Sequence, residues 1–121
     1  MVKYFFDSYA VVELMKGNPN YAQYTKEAVV ITFFNLAEIY WVAINDLAND
    51  EAEEIYEHYR QGVVDIDDGV LKDAIKFRKK HKNKNLSYTD CIGYVYALKK
   101  NMVFLTGDKE FQNMDNVEFV K

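Results

Sequence analysis

Asp108 follows a short apolar run, Met102-Val103-Phe104-Leu105, and a Thr106-Gly107 pair. A carboxylate placed just past a buried strand, behind a glycine that lets the chain turn, has two uses. It can cap the next helical turn by accepting a backbone N–H. It can also serve a ligand, because open α/β sheets bind ligands beyond the carboxyl ends of their strands. Other acids at the same edge would decide between them. Asp7 directly follows the strand expected at Val2–Phe6 and faces the same choice. Asp90 stands in Ser87-x-x-Asp90, a capping-box pattern. At helical spacing, however, it lies above Gly93, Tyr94 and Ala97, a small and apolar stripe where a charge needs a partner. Glu38 sits in the apolar FFNLAEIYWVAIN, with Asn45 and Asn49 on its face and Val42 between them; its alternative is a solvated acid in the first turn, favoured by the helix dipole.

Carboxylates gathered at one edge have a definite chemistry. Two of them about 5 Å apart repel by roughly 3 kcal/mol at an effective dielectric near 20. A cluster therefore needs raised pKa values or a cation. Oxygen ligands without His or Cys favour Mg²⁺ or Mn²⁺, which activates water and polarises a phosphodiester. His58 and His81 both lie in charged helical stretches, and no His-x-x-x-His, Gly-x-Ser-x-Gly or Walker glycine loop occurs.

The elements that must position these acids alternate in type. Strands are expected at Val2–Phe6, Ala28–Ile31, Gly62–Ile66, Met102–Leu105 and Val117–Val120. Helices are expected at Tyr9–Lys16, capped by Ser8 and stopped by Gly17; at Tyr21–Glu27; at Asn35–Ala48; at Asp50–Arg60; from an Asp67 or Asp68 cap to His81; and at Thr89–Lys100. Alternation of this kind predicts a parallel sheet covered on both faces.

The 121 residues suit one domain, and half of them are hydrophobic, enough for a real core. No stretch of about 18 residues is free of charge, so no membrane span is expected. MVKYFFDSYA meets an acid too early for a secretory signal, and the single cysteine, Cys91, allows no internal disulfide; a cytoplasmic protein is expected. The net charge of −4 argues against attachment to nucleic acid by global charge. Yet Lys76–Lys84, KFRKKHKNK, holds six cations and no acid, which leaves −10 for the rest of the chain. Lys79, Lys80 and Lys82 are candidate contacts to an RNA backbone; the alternative is a solvated helix end where cations complement the dipole.

Together, the strand-Asp-Ser opening, Leu-Ala-Glu on an apolar helix, Ser-x-x-Asp-Cys on a later helix and Thr-Gly-Asp-Lys-Glu-Phe after the next strand resemble the PIN-domain family, and within it the small VapC-type toxin ribonucleases. The resemblance spans essentially the whole chain. It implies a three-layer α/β/α sandwich around a five-stranded parallel sheet of order 3-2-1-4-5. It maps an acidic quartet onto Asp7, Glu38, Asp90 and Asp108, with Ser8 and Thr106 as supporting hydroxyls. Asp7 and Asp90 are the expected direct metal ligands. Glu38 and Asp108 would bind a second metal, act through waters or orient the attacking water. The implied activity is Mg²⁺-dependent endoribonuclease cleavage, with Mn²⁺ as substitute, leaving a 5′-phosphate without help from the 2′-hydroxyl. A homodimer and a VapB-type antitoxin whose tail blocks the site are the implied partners.

Two other classes compete. A receiver-like Mg²⁺-binding signalling module also gathers acids at a sheet edge, but expects an acidic pair after the first strand and a phosphorylatable Asp after the third. Here Asp7-Ser8 gives a single acid, while Asp67-Asp68 follows the third strand. A non-catalytic interaction protein would use the tyrosines and Trp41 between Glu38 and Tyr59 as a partner face; the alternative is that Tyr40 and Trp41 are ordinary core.

Overall fold

The computed structural model describes residues 1–121. The chain runs β1 (Tyr4–Phe6), α1 (Ser8–Met15), a 3-10 segment (Pro19–Tyr24), β2 (Ile31–Thr32), α2 (Phe33–Asp46), α3 (Asn49–Arg60), β3 (Val63–Val64), α4 (Asp68–Lys80), α5 (Tyr88–Lys99), β4 (Val103–Thr106), a 3-10 turn (Lys109–Phe111) and β5 (Val117–Phe119). Strand and helix alternate as the sequence predicts, and every strand pairing is parallel.

The sheet differs from the expected continuous five strands. It forms a three-stranded ladder, β1-β4-β5, and a separate two-stranded ladder, β2-β3. A backbone hydrogen bond from Phe6 N–H to the Val30 carbonyl, 2.9 Å, crosses between the β1 and β2 segments. The physical reason is length: β2 and β3 have two residues each, too few to sustain a ladder on both edges.

Pleating sorts the core. Phe5 pairs with Phe104 and Phe6 with Leu105. Phe5 and Phe104 join Val70, Ala74, Ile92 and Tyr94 on the α4–α5 side. Phe6 and Leu105 join Val11, Ile31, Leu36 and Ile39 on the α1–α2 side. Adjacent residues of one strand thus feed opposite helical layers, as a period of two requires. Each large apolar side chain so buried contributes about 1.5–3 kcal/mol relative to exposure.

Glycines set two close approaches. A Cβ on Gly93 would lie 2.7 Å from the Phe5 ring, so α5 meets a side chain there and not another backbone. Gly107 does not use a left-handed φ; only Gly17, Asn101 and Asn116 do. Its need is room: a Cβ would come within 2.2 Å of the Tyr9 ring and 2.3 Å of the Val120 carbonyl.

Several element boundaries move. The expected Tyr21–Glu27 helix is a 3-10 segment that starts at Pro19, with Asn18 as its cap. α2 ends at Asp46, so Asn49 opens α3 and does not share a helical face with Glu38. Asn45 instead donates to the Trp41 carbonyl of its own helix, 2.7 Å. No helix is long and apolar enough to cross a membrane.

Candidate functional site

Asp7 lies at the centre of a polar cluster and is only 3% exposed. Its backbone N–H donates to the Leu105 carbonyl at 3.0 Å, which ties it to β4. Oδ1 accepts from the Ser8 N–H at 2.9 Å, so Asp7, not Ser8, caps α1. Oδ2 accepts from the Thr106 hydroxyl at 2.7 Å. Burial pushes its pKa up to about 8; the Asp90 charge adds to this, the Thr106 and Ser8 hydrogen bonds oppose it, and the Asp108 charge adds a little more.

Relieved of capping, Ser8 turns its hydroxyl to Glu38, donating to Oε1 at 2.6 Å. Asn35 Nδ2 donates to the same Ser8 oxygen at 2.9 Å. Asn35 is itself buried, and its Oδ1 accepts from the Thr32 N–H and hydroxyl at 2.9 and 2.8 Å. A relay Thr32–Asn35–Ser8–Glu38 therefore fixes the Glu38 carboxylate from the first turn of α2. The sequence reading missed Asn35. The available signal was Thr32-x-x-Asn35, a capping box with Asn in the place usual for Glu or Gln, immediately ahead of Leu-Ala-Glu.

Asp90 arrives from α5. Its Oδ2 accepts from the Ser87 N–H at 2.9 Å while the Ser87 hydroxyl accepts from the Asp90 N–H at 3.0 Å, a complete capping box. Its helical neighbours Gly93, Tyr94 and Ala97 are buried, as the stripe predicts. Burial raises the Asp90 pKa, the Ser87 bonds oppose that, and the Asp108 and Glu38 charges raise it further. Capping and membership of an acidic cluster are thus compatible. Asp108 also does both: its N–H donates to the Thr106 hydroxyl at 3.0 Å, and its Oδ1 accepts from the Glu110 N–H at 3.0 Å. Thr106, fully buried, links Asp7 to Asp108.

Asp90 thus feels the charges of Asp108 and Glu38, and Asp7 those of Asp90 and Asp108, while hydrogen bonds join Ser8 to Glu38 and Thr106 to Asp7 and Asp108. The single ion pair of the molecule, Lys99–Asp73, involves none of the four. No three His, Cys, Asp or Glu side chains stand close enough together to hold a metal ion between them. The chemistry of the donors, though not their spacing, is that of a hard-cation site: all are oxygens, one is a buried carboxyl with a raised pKa, and none is paired to a basic side chain.

The remaining expected residues lie outside this cluster. Lys79 and Lys82 line a groove beside α4 together with Arg78, Lys84 and Tyr88, whereas Lys80 is exposed and does not line it. Asp67 caps α4, accepting from the Val70 N–H at 2.8 Å, and Asp68 is the first helical residue. Asp67, the acid at the place after the third strand where a receiver-like module would be phosphorylated, is thus engaged as a helix cap. His81 Nδ1 meets the Phe77 carbonyl at 3.0 Å, and His58 stacks edge-on against Tyr59. Trp41 is 66% exposed and so is not core, and Tyr40 bonds Glu53 and packs edge-on against Tyr56.

An α/β fold with parallel strands that end in clustered acids defines a class, and comparison identifies it. The PIN-domain family model matches residues 4–117, and the chain belongs to the PIN-domain family. No curated protein matches it by sequence. Among solved structures it is similar to VapC20 of Mycobacterium tuberculosis, a sarcin-ricin loop cleaving toxin, with a TM-score of 0.77 and 16% identity over 98% of this chain and 100% of that one. It is similar to VapBC-1 from nontypeable Haemophilus influenzae, with a TM-score of 0.72 and 20% identity over 98% and 96%. A toxin-antitoxin complex from Klebsiella pneumoniae gives 0.74 and 16% over 96% of each chain. At these identities the likeness is one of fold.

Proposed function

We propose that the protein is a metal-dependent endoribonuclease, the toxin of a type II toxin-antitoxin pair, acting through Asp7, Glu38, Asp90 and Asp108. One observation carries the reading. Asp7 is buried, raised in pKa, within reach of other carboxylates and paired with no cation of the protein. Desolvated carboxyls whose pKa is shifted by burial and by a neighbouring charge concentrate at functional sites. Mg²⁺ or Mn²⁺ bound there would supply charge to a phosphodiester oxygen and lower the pKa of a water.

This chain's own residues do the rest. Thr106 and Ser8 hold the two Asp7 oxygens in fixed directions. Ser87 orients Asp90, and the Asn35–Ser8 relay orients Glu38. Asp7 and Asp90 are assigned as direct ligands because both lose solvent and both feel neighbouring acids. Glu38 and Asp108 orient water or complete the charge of the site. The order 3-2-1-4-5 belongs to the same reading and is supported by the Phe6–Val30 bond between the two ladders.

A VapB-type antitoxin is the proposed partner, in a cytoplasmic setting. Two of the similar structures are a VapBC pair and a toxin-antitoxin complex. In this chain a cleft of about 610 Å³ lies between α1 and α2, lined by Tyr9, Val12, Trp41 and Val42 and reaching Glu38. An apolar segment seated there would cover the acidic edge. Exposed Phe33, Phe34 and Ile44 on α2 are the surface proposed for a homodimer.

The test is digestion of RNA by the purified protein with Mg²⁺, with Mn²⁺ and with EDTA, followed by mapping of the cut ends. Cleavage with either metal, loss in EDTA and 5′-phosphate ends are expected. Unchanged cleavage in EDTA with 2′,3′-cyclic phosphate ends would overturn the mechanism.

A further inference from the structure

A second feature lies beside the acidic cluster. Arg78 on α4 donates from Nε to the Leu86 carbonyl at 3.0 Å, which fixes the guanidinium. That guanidinium lies 4.3 Å from the centre of the Tyr88 ring. Tyr88 itself is 58% exposed, although it begins a helix whose following residues are largely buried. Around the pair is a groove of about 290 Å³ that contains Lys79, Lys82 and Lys84 and is lined by no acid. On a chain of net charge −4 this is a concentrated positive surface.

The groove is tied to the acids at both ends. Tyr88 stands two residues before Asp90, with Ser87, the Asp90 cap partner, beside it. Lys84 Nζ donates to the Glu110 carbonyl at 3.2 Å, and the Asn85 N–H donates to Glu110 Oε1 at 2.9 Å. Glu110 in turn donates its N–H to Asp108.

We infer that this groove is the entry path of a single-stranded RNA, with Tyr88 as a platform on which a base stacks and Lys79 and Lys82 as phosphate contacts. The inference deepens the nuclease reading and rests on it. An aromatic face braced by a fixed guanidinium is suited to a nucleobase, since stacking is tolerant of sequence and gains from the cation. An acidic peptide would use the lysines but gain nothing from the ring. The arrangement also separates two jobs: the lysines supply salt-dependent attraction, and Tyr88 sets where along the strand the chain halts before Asp90 and Asp108.

The experiment is fluorescence anisotropy with a labelled oligouridine about ten nucleotides long, in EDTA so that binding is read apart from cleavage. Tyr88→Ala is expected to weaken binding about five- to a hundredfold, with the salt slope unchanged because no phosphate contact is lost. Tyr88→Phe retains the ring and binds as wild type. Tyr88→Leu, which fills similar space without a π face, loses affinity as Tyr88→Ala does. Wild-type affinity in Tyr88→Ala or Tyr88→Leu overturns the platform. So does binding of a labelled polyglutamate by the wild type with none of the oligouridine, which would assign the groove to an acidic protein segment. Tyr88-dependent RNA binding without metal-dependent cleavage upholds the platform and removes the nuclease reading; metal-dependent cleavage with binding indifferent to Tyr88 does the reverse.

Discussion

Thr106 donates its hydroxyl to Oδ2 of Asp7 across the β4–β1 seam at 2.7 Å, and the Thr106 hydroxyl oxygen itself accepts the Asp108 N–H at 3.0 Å. One buried hydroxyl therefore sets the direction of one carboxylate and the backbone position of another. Thr106→Val keeps the shape and removes both bonds. It is expected to cost about 1–3 kcal/mol of stability and to lower RNA cleavage by about ten- to a hundredfold, the scale for residues that orient ligands. Thermal unfolding and initial rates check the two effects separately.

Asp7→Asn and Asp90→Asn are each expected to lower activity by at least about a hundredfold while remaining folded. Asp7→Asn should also change how stability depends on pH. The folded pKa of Asp7 is about 8, above an ordinary aspartate near 3.8. Its contribution is therefore fully present below about pH 4 and is lost as pH rises through about 8, a change of several kcal/mol. Denaturant midpoints in EDTA at pH 5 and pH 8 should differ less for Asp7→Asn than for wild type. Equal differences would mean that Asp7 ionises normally in the fold.

Asn35→Ala cuts the relay to Ser8 and frees the Glu38 side chain. Loss of about 1–3 kcal/mol is expected, because Thr32 is buried and loses its partner. Cleavage should fall about tenfold, with RNA affinity unaltered, since Asn35 is buried. A stability loss with full activity would show that Glu38 needs no positioning.

Lys79→Gln and Lys82→Gln should each flatten the slope of log K against log salt by about 0.7 for single-stranded RNA. Lys80→Gln should change it less, because Lys80 does not line the groove. Turnover at saturating RNA should hardly move. Slopes that match wild type in all three would return the stretch to a solvated helix end.

Much of this arrangement was legible in the sequence, for local reasons. Asp67 and Ser87 announce helix starts, and the Asp90 stripe announces a buried face, because capping and helical period act over a few residues. The Thr106–Asp7 bond spans 99 positions and leaves no local trace. Ser8 looked like a cap because Asp7 and Ser8 are both good caps; only the packing of α2 against α1 shows that Ser8 is needed by Glu38. Gly107 looked like a turn residue, whereas its real constraint, the Tyr9 ring and the Val120 carbonyl, comes from distant segments. The short β2 and β3 were expected as full strands because β-branched residues signal extended backbone without signalling how much of it finds a partner.

Phe5 and Phe6 send one strand's side chains into two separate helical layers, and three of the acids inherit that division. Asp90 rides on the α4–α5 layer, Glu38 on the α1–α2 layer, and Asp7 stands just past the three-residue strand between them. Sliding one layer past the other would change the spacing of the carboxylates directly. A cation gripped by Asp90 and Asp7 together would act as a rivet between the α4–α5 layer and the strand, and its grip would be felt as slowed amide exchange on the outer helices, far from any atom it touches.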